Sequence, residues 1–332
     1  MTNNDDFRKA LELIDKSGSV LITTHTKPDG DACGCVVALC DALRRAGKRV
    51  QPLFLSVVPQ WYSFMLSEKV PVLGEDFSVD DLRQGRLGQF DLIIIADADS
   101  YSQLGDFEQY LKQNNKPVLV IDHHTTSDGL GDVQLLDPTA AATGLIVLQL
   151  FDRAAWPLTE KAAQALFTAI ATDTGWFQFN NTGSRVYAAA ARLTDAGANP
   201  THIYEKLYHS FSHARFELML AMLATLELHF SGRFATQHLL LHDFERTGTT
   251  SADTENLINE CHRISAIEAS ALFVELNDGR IRCSLRSTGR IDVSKIAEKF
   301  GGGGHKPAAG AFLPGPLQNA QQLILDEMSR QF

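Results

Sequence analysis

Aspartate and histidine side chains follow the strongly apolar runs in the first half of the chain. The segments are His25-Thr26-Lys27-Pro28-Asp29-Gly30-Asp31, Asp97, Asp122-His123-His124 and Asp173. An uninterrupted apolar run such as Leu92-Ile93-Ile94-Ile95-Ala96 is typical of a buried parallel strand. Ligands of open α/β sheets bind beyond the carboxyl ends of such strands. These acids and imidazoles are therefore expected to converge on one site.

Their spacing suits two divalent metal ions. Asp29 and Asp31 are expected to lie in a loop that contains Pro28 and Gly30, where a turn can direct alternate carboxylates at different ions. Carboxylate oxygens mixed with imidazole favour manganese or a similar divalent ion over a thiolate-seeking one. Two adjacent ions can hold the attacking and leaving oxygens of a phosphoryl displacement. The pattern therefore predicts metal-assisted phosphoester hydrolysis.

Each acid also has a simpler structural interpretation, because a single Asp after a strand is more often a turn former or helix cap than a ligand. The joint occurrence of the segments favours function, and two adjacent histidines behind Asp122 have little packing rationale. Asp99 lies beyond the end of its strand and is expected to cap a helix or turn instead of binding a metal.

Taken in order along the chain, these motifs resemble those of the DHH-DHHA1 phosphoesterases, and in particular the short standalone nanoRNase type. The likeness covers nearly the whole length. It includes the HxxPDxD loop at His25 to Asp31, Asp97, the Asp122-His123-His124 triplet, Asp173-Thr174-Gly175-Trp176-Phe177 with Asn181-Thr182, and Gly301-Gly302-Gly303-Gly304-His305 with Ala308-Ala309-Gly310.

The resemblance implies a centre of two manganese ions, for which magnesium or cobalt could substitute. One ion would be held by His25, Asp29 and Asp97, and the other by Asp31, Asp97, His123 and Asp173, with Asp97 bridging the pair. Asp122 would orient an imidazole by accepting its free N–H. His124 would face the substrate phosphate. Asp122 and His124 are the expected catalytic residues outside the metal ligands.

The resemblance places substrate binding in the last part of the chain, on Arg286, Ser287, Gly301, Gly302, Gly303, Gly304 and His305. Clustered glycines usually form flexible linkers. This run instead continues through His-Lys-Pro into Ala-Ala-Gly-Ala-Phe, and glycine-rich backbone lets N–H groups approach a phosphate closely. Arg286 would anchor a terminal phosphate, because a guanidinium binds phosphate oxygens in pairs.

Alternation of β and α patterns up to about Asp173 predicts an α/β fold with an N-terminal doubly wound parallel sheet, the DHH domain. Strand-like stretches interleaved with helices then predict a smaller C-terminal α+β domain, the DHHA1 domain. The expected boundaries are 1–196 for the catalytic domain, 197–212 for the linker and 213–332 for the substrate-binding domain.

Composition is that of an ordinary globular protein, with 332 residues of which 44% are hydrophobic, enough for two domains. The net charge of −10 argues against tight binding to long duplex nucleic acid. An acidic N-terminus, the lack of a membrane-length apolar run and five cysteines predict a cytoplasmic protein with reduced thiols and no membrane association. Cys33-Gly34-Cys35 alone is weak support for a thiolate metal site.

Expected substrates are short oligoribonucleotides, including linear dinucleotides such as pApA, cut to nucleoside monophosphates, and 3′-phosphoadenosine 5′-phosphate (pAp), converted to AMP. Both reactions break a bond between phosphorus and a ribose O3′. The alternatives are a cyclic di-AMP phosphodiesterase, a RecJ-like single-strand exonuclease, a manganese pyrophosphatase and a catalytically inactive nucleotide sensor. Every ligand position is filled, which argues against the sensor. Members of the family commonly dimerise, so a homodimer is expected.

Overall fold

The computed structural model describes residues 4–125, 127–209 and 211–332, without the side chain of His305. The chain divides into two compact units, Met1–Ser210 and Phe211–Phe332. Within the described ranges, no helix is both long and apolar enough to cross a membrane.

The first unit alternates strands and helices. Short 3₁₀ helices occur at Gln60–Met65 and Tyr101–Gln103. The other elements are α1 (Asn4–Lys16), β1 (Ser19–Thr23), α2 (Gly30–Arg45), β2 (Arg49–Pro52), α3 (Val79–Arg83), β3 (Leu92–Ala96), α4 (Phe107–Gln113), β4 (Val118–Asp122), β5 (Val133–Leu136), α5 (Thr143–Ala154), α6 (Glu160–Asp173), α7 (Ser184–Asp195) and α8 (Pro200–Tyr208).

Five parallel strands form the sheet of this unit in the order β2-β1-β3-β4-β5. Every residue of β1, β3 and β4 is buried, which explains their uninterrupted apolar sequences. Leu92 and Ile94 belong to one hydrophobic core, whereas Ile93 and Ile95 belong to a second core on the opposite face. The doubly wound parallel sheet predicted from the sequence is confirmed.

The strand order reverses direction between β1 and β3. The chain runs from β1 to β2 on one side and then returns to place β3 on the other side of β1. Such a switch point opens a crevice at the carboxyl ends of the two strands. His25 follows β1 and Asp97 follows β3, so both stand at this crevice.

Two glycines of α2 allow this helix to pack very closely against α6. A Cβ at Gly34 would overlap the carbonyl oxygen of Ala165, and a Cβ at Gly30 would overlap the side chain of Thr172. The close approach sets the N-terminal turn of α2 beside the C-terminal end of α6, where Asp173 lies.

The segment 197–212, expected to link the two domains, contains helix α8. Ile203 and Leu207 of this helix are buried in the core of the first unit. Asn199 caps the helix by accepting a hydrogen bond from the backbone N–H of His202, and Pro200 occupies its first turn. The two compact units divide after residue 210.

The second unit contains a six-stranded mixed sheet, as the α+β prediction requires. Its strand order is β10-β11-β9-β8-β7-β6, with β7 and β8 parallel and the other pairs antiparallel. Two 3₁₀ helices lie at Ser251–Thr254 and Leu257–Arg263. The other elements are α9 (His213–Ala224), β6 (Glu227–His229), β7 (Phe234–Leu239), α10 (Leu241–Thr247), β8 (Ala269–Glu275), β9 (Arg280–Ser287), α11 (Val293–Glu298), β10 (Gly303–His305), β11 (Ala308–Pro314) and α12 (Leu317–Met328).

Gly34→Ala should destabilise the protein, although an alanine ordinarily stabilises a helix interior by about 1 kcal/mol relative to glycine. The added methyl group meets the main chain of α6, and overpacking of this kind costs about 1 to 3 kcal/mol. Urea denaturation measures the difference. Gly18→Ala is the control, because a Cβ there makes only an ordinary contact with Asp91. Equal stabilities for the two variants would contradict the close packing.

Candidate metal centre

The first group of possible ligands joins the loop after β1 to the end of β3. The Nε2 atom of His25 lies 3.4 Å from Oδ2 of Asp97 and 4.0 Å from Oδ1 of Asp29. Ligand atoms of these three residues all fall within 4.8 Å of one another. Oxygens about 2.1 Å from one ion have separations of this order, so the group can hold a divalent cation.

A second group lies on the other side of Asp97. The Nε2 atom of His123 is 3.1 Å from Oδ2 of Asp173, 3.7 Å from Oδ1 of Asp97 and 4.0 Å from Oδ2 of Asp31. Asp97 thus directs one carboxylate oxygen at His25 and the other at His123. The strand order explains this arrangement, because β3 lies between β1 and β4. The structure therefore brings all six residues predicted as metal ligands together.

Main-chain carbonyl groups orient the two histidines. Nδ1 of His25 is 2.7 Å from the carbonyl oxygen of Thr26, and Nδ1 of His123 is 3.2 Å from that of Ala140. A histidine that donates its Nδ1–H in this way presents Nε2 as the ligand atom. In both histidines, Nε2 is the ring nitrogen that faces the carboxylates.

The N-terminus of α5 holds Asp31 in place. Its two carboxylate oxygens accept hydrogen bonds from the backbone N–H groups of Thr143 and Gly144, at 2.6 and 2.8 Å. The Thr143 hydroxyl donates to Oδ1 of Asp97 at 2.8 Å. Sequence reasoning missed both residues. The available signal was a run of small residues, Ala140-Ala141-Ala142, directly before an apolar helix whose exposed N–H groups favour an anion.

Asp97 adopts a left-handed backbone conformation, with φ of 63°. Non-glycine residues rarely adopt it, although Asp tolerates it better than most. Its N–H donates to the carbonyl oxygen of Ile121 at 2.8 Å, which joins the turn to β4. Strain of this kind, about 1 to 3 kcal/mol, persists where the surrounding structure fixes the residue, and it is concentrated at functional sites.

The charges of the site favour a cation. Burial and the charge of Asp31 raise the pKa of Asp173 to about 7, and burial with the charges of Asp31 and Asp29 raises the pKa of Asp97 well above its usual value. Burial opposes protonation of His123, but its hydrogen bond to Asp173 and the charges of Asp31 and Asp97 raise its pKa to about 10. Bound divalent ions would neutralise these carboxylates, so the donor set fits the predicted metals.

Asp122 contacts His124 through its side chain. Its Oδ1 accepts hydrogen bonds from the backbone N–H groups of His123 and His124 and lies 2.7 Å from Nδ1 of His124. The imidazole that Asp122 orients is therefore that of His124, whereas Ala140 orients His123. Nδ1 of His124 also lies 3.8 Å from Oδ1 of Asp97, and these two residues form a third possible ligand group with His123. Because Nδ1 of His124 is already engaged by Asp122, its Nε2 is the atom suited to a substrate contact.

Among the described residues, Asp99 belongs to none of the possible ligand groups, and it caps no helix. Its side chain is buried, and Oδ1 accepts hydrogen bonds from the backbone N–H of Leu130 and the side-chain amide of Gln134. The residue holds the loop before β5 in place. Burial raises its pKa.

In the second unit, Arg286 and Ser287 end β9. Arg286 is half-buried, and burial lowers its pKa. Its Nη1 donates to the carbonyl oxygen of Leu285 at 3.0 Å. The hydroxyl oxygen of Ser287 accepts hydrogen bonds from the N–H groups of Gly289 and Ile291, which shapes the turn after the strand.

The glycine run forms the C-terminal turn of α11 and the edge strand β10. Gly301 has a positive φ of 71°, and a Cβ at Gly302 or Gly304 would overlap the backbone of β11. A Cβ at Gly303 would meet no atom within 4 Å, so local packing does not require glycine there. The side chain of His305 lies outside the described part of the structure. The sequence pattern indicated glycine-rich backbone but did not indicate a hairpin.

Comparison with known families assigns both halves of the chain. Residues 19–170 match the DHH family, N-terminal domain, and residues 233–332 match the DHHA1 domain. The chain belongs to the DHH-DHHA1 family. It is 31% identical over 313 residues to the bifunctional oligoribonuclease and PAP phosphatase NrnA of Thermus thermophilus, covering 93% of this chain and 89% of that protein.

A second relative is the protein of the same name from Bacillus subtilis, 26% identical with 91% of each chain covered. Among solved structures, an exopolyphosphatase-related protein from Bacteroides fragilis has the same fold, with a TM-score of 0.93, 22% identity, and 99% of this chain and 96% of that chain covered. Family membership makes this chain a hydrolase of phosphoesters.

Asp97→Asn should lower metal occupancy and turnover together while the fold persists. The substitution keeps the side-chain shape but removes a charge that faces both ligand groups. Metal analysis and a rate assay measure the two effects. Activity within about tenfold of wild type, a loss of only ~1.4 kcal/mol of transition-state stabilisation, would show that Asp97 is not shared by two ions.

Asp99→Asn is the matched control for that variant. Asparagine retains an oxygen that can accept from Leu130 and Gln134, and Asp99 belongs to none of the possible ligand groups among the described residues. Metal content and turnover should stay close to wild type.

Binding of a divalent ion at neutral pH should release protons. His123, with a pKa of about 10, and Asp173, with a pKa of about 7, hold protons wholly or in part before an ion binds, and metal ligands must be deprotonated. Mn²⁺ affinity should therefore rise by about tenfold per pH unit for each proton displaced. Calorimetric titration in buffers of different ionisation enthalpy counts the protons. A pH-independent affinity would contradict the expectation.

Proposed function

We propose that this chain is a two-manganese phosphoesterase that hydrolyses short oligoribonucleotides and linear dinucleotides to nucleoside monophosphates and converts pAp to AMP. The observation that carries the proposal is the position of Asp97, whose two carboxylate oxygens lie 3.4 Å from Nε2 of His25 and 3.7 Å from Nε2 of His123. Two relatives that match over about nine-tenths of the chain are named bifunctional oligoribonuclease and PAP phosphatase. Magnesium or cobalt could replace manganese.

When bound, two divalent ions would supply Lewis acidity that activates a water molecule and neutralises phosphate charge. The imidazolium form of His124, oriented by Asp122, would donate a hydrogen bond from Nε2 to a phosphate oxygen, which favours the more charged transition state. The ligands would be His25, Asp29 and Asp97 for one ion and Asp31, Asp97, His123 and Asp173 for the other.

We propose that domain 1–196 carries the chemistry and domain 213–332 carries nucleotide recognition. Arg286 would bind a terminal phosphate through its guanidinium group, and Ser287 and the run from Gly301 to His305 would contact the nucleotide. Two features support this role: Gly303 has room for an approaching group, and Arg286 is half-buried, where a charge-assisted hydrogen bond is strong.

We further propose a cytoplasmic homodimer that binds neither long duplex nucleic acid nor membranes. All five cysteines are buried and free of disulfides, as expected for a protein of a reducing compartment. The homodimer is proposed because members of the family commonly dimerise.

A side-by-side comparison of rates tests the proposal. The substrates are pAp, RNA dimers to pentamers, cyclic di-AMP and pyrophosphate, each with Mn²⁺ present. We expect the highest kcat/KM on pAp and on the shortest RNAs. Pyrophosphate as the best substrate would overturn the proposal, and cyclic di-AMP as the best substrate would replace it with the cyclic dinucleotide alternative.

His123→Ala and His124→Ala should have different effects. Loss of His123 removes a ligand from the group with Asp31 and Asp173, so one ion per chain should be lost. Loss of His124 should leave both ions bound yet lower turnover, because a group that contacts the reacting phosphate acts mainly in the transition state. Metal analysis distinguishes the two. Equal metal loss in both variants would mean that His124 is a ligand.

A further inference from the structure

An exposed phenylalanine lies in the loop that follows Asp173. Phe179 is 59% exposed, although large apolar side chains in ordered loops are usually covered. The motif from Asp173 to Thr182 is part of the family resemblance, but the metal chemistry uses only its first residue. The rest of the loop therefore has no role in the proposed mechanism so far.

The loop holds Phe179 firmly. Its ring lies directly over Gly175, where any Cβ would overlap it, and Gly175 has a φ of 55° that favours glycine. The N–H groups of Gln178 and Phe179 both donate to the carbonyl oxygen of Thr174, at 2.9 and 3.0 Å. The exposed ring is therefore a fixed feature of the surface.

Neighbouring aromatic residues anchor the loop from below. Trp176 and Phe177 both have left-handed backbone conformations, with φ of 58° and 65°. Their rings pack edge-on against Phe167 of α6. Packing of this kind compensates for the strained backbone. Trp176 and Phe177, which are partly buried, therefore anchor the loop, whereas Phe179 remains exposed.

Asn181 connects the loop to the metal centre. Its side-chain amide donates to the carbonyl oxygen of Asp173 at 3.1 Å and to that of Ala141 at 3.3 Å. Ala141 directly follows Ala140, whose carbonyl group orients His123. The loop that bears Phe179 is thus fixed to two segments that position metal ligands, and the Phe179 ring packs over Gly175, two residues after Asp173.

The metal centre offers carboxylates and imidazoles, which suit a phosphate but not a nucleobase. An exposed aromatic ring beside such a site can stack on any base, because every base has a π face. We propose that Phe179 stacks on a nucleobase of the nucleotide adjacent to the scissile phosphate. This inference rests on the proposed function and adds a base-binding subsite on the catalytic unit.

Three variants and three substrates test the stacking. Phe179→Ala, Phe179→Leu and Phe179→Trp are assayed with Mn²⁺ on pApA and on its two single-abasic forms, in which one adenine is replaced by hydrogen. On pApA, the Ala and Leu variants should lose about tenfold to a hundredfold in kcat/KM, mainly through KM, the range that base–aromatic stacking gives. The Trp variant should keep wild-type activity. On the abasic form that lacks the stacked base, the wild type and the three variants should have equal kcat/KM.

Leucine fills the space over Gly175 without offering a π face, so it separates stacking from support of the loop. Phe216→Ala is the control for general loss of an exposed aromatic, since Phe216 is 48% exposed on α9 of the second unit. Its kcat/KM on pApA should stay within about twofold of wild type. Bound manganese per chain should be unchanged in every variant, which shows that each is folded with an intact centre.

The outcomes that overturn the inference are separate from failure of the proposed function. If the wild-type enzyme hydrolyses pApA and Phe179→Ala is equally active, Phe179 has no stacking role. An equal fall in kcat/KM on pApA and on both abasic forms would assign Phe179 to support of the loop. The same fall together with a changed mass of the protein in solution would assign Phe179 to an interface between copies of the chain. A wild type inactive on pAp and RNA would refute the function itself, and the subsite with it.

Discussion

Three carboxylates, those of Asp31, Asp97 and Asp173, are held around His123, and those of Asp31 and Asp97 are buried. Repulsion and burial raise the pKa of all three, so folding this region costs free energy that other contacts must offset. Much of the first unit supplies these offsetting contacts. The close packing of α2 on α6, the amides of α5 and the strained turn at Asp97 all fix carboxylates that would otherwise move apart.

These restraints come mainly from backbone groups. Main-chain N–H groups hold Asp31 and Asp122, and main-chain carbonyl groups orient His25 and His123. Backbone groups have little freedom once the helices and strands have formed, so the ligand atoms are placed before any ion arrives. Preorganisation of this kind lowers the entropy lost on binding.

The parallel sheet and the smaller mixed sheet after it could be predicted from the sequence because they depend on local patterns, and the six residues expected to converge do lie near one another. Buried strands such as β3 have uninterrupted apolar sequences, and the Asp122-His123-His124 triplet has few structural explanations. Thr143 and Gly144 could not be predicted, because their contacts with Asp31 span more than 110 positions of the chain. The hairpin of β10 and β11 was also missed, because glycine and alanine give no alternating pattern to mark a strand.

The order of the strands also determines the dimensions of the site. His25, Asp97 and His123 follow three adjacent strands, with Asp97 on the middle one, and neighbouring strands are held about 4.8 Å apart by their ladder hydrogen bonds. The spacing of the strands therefore sets the distance between the ligands that follow them. Side-chain substitutions can change how tightly an ion is held, but the width of the site is a property of the backbone, shared by every sequence that forms this sheet.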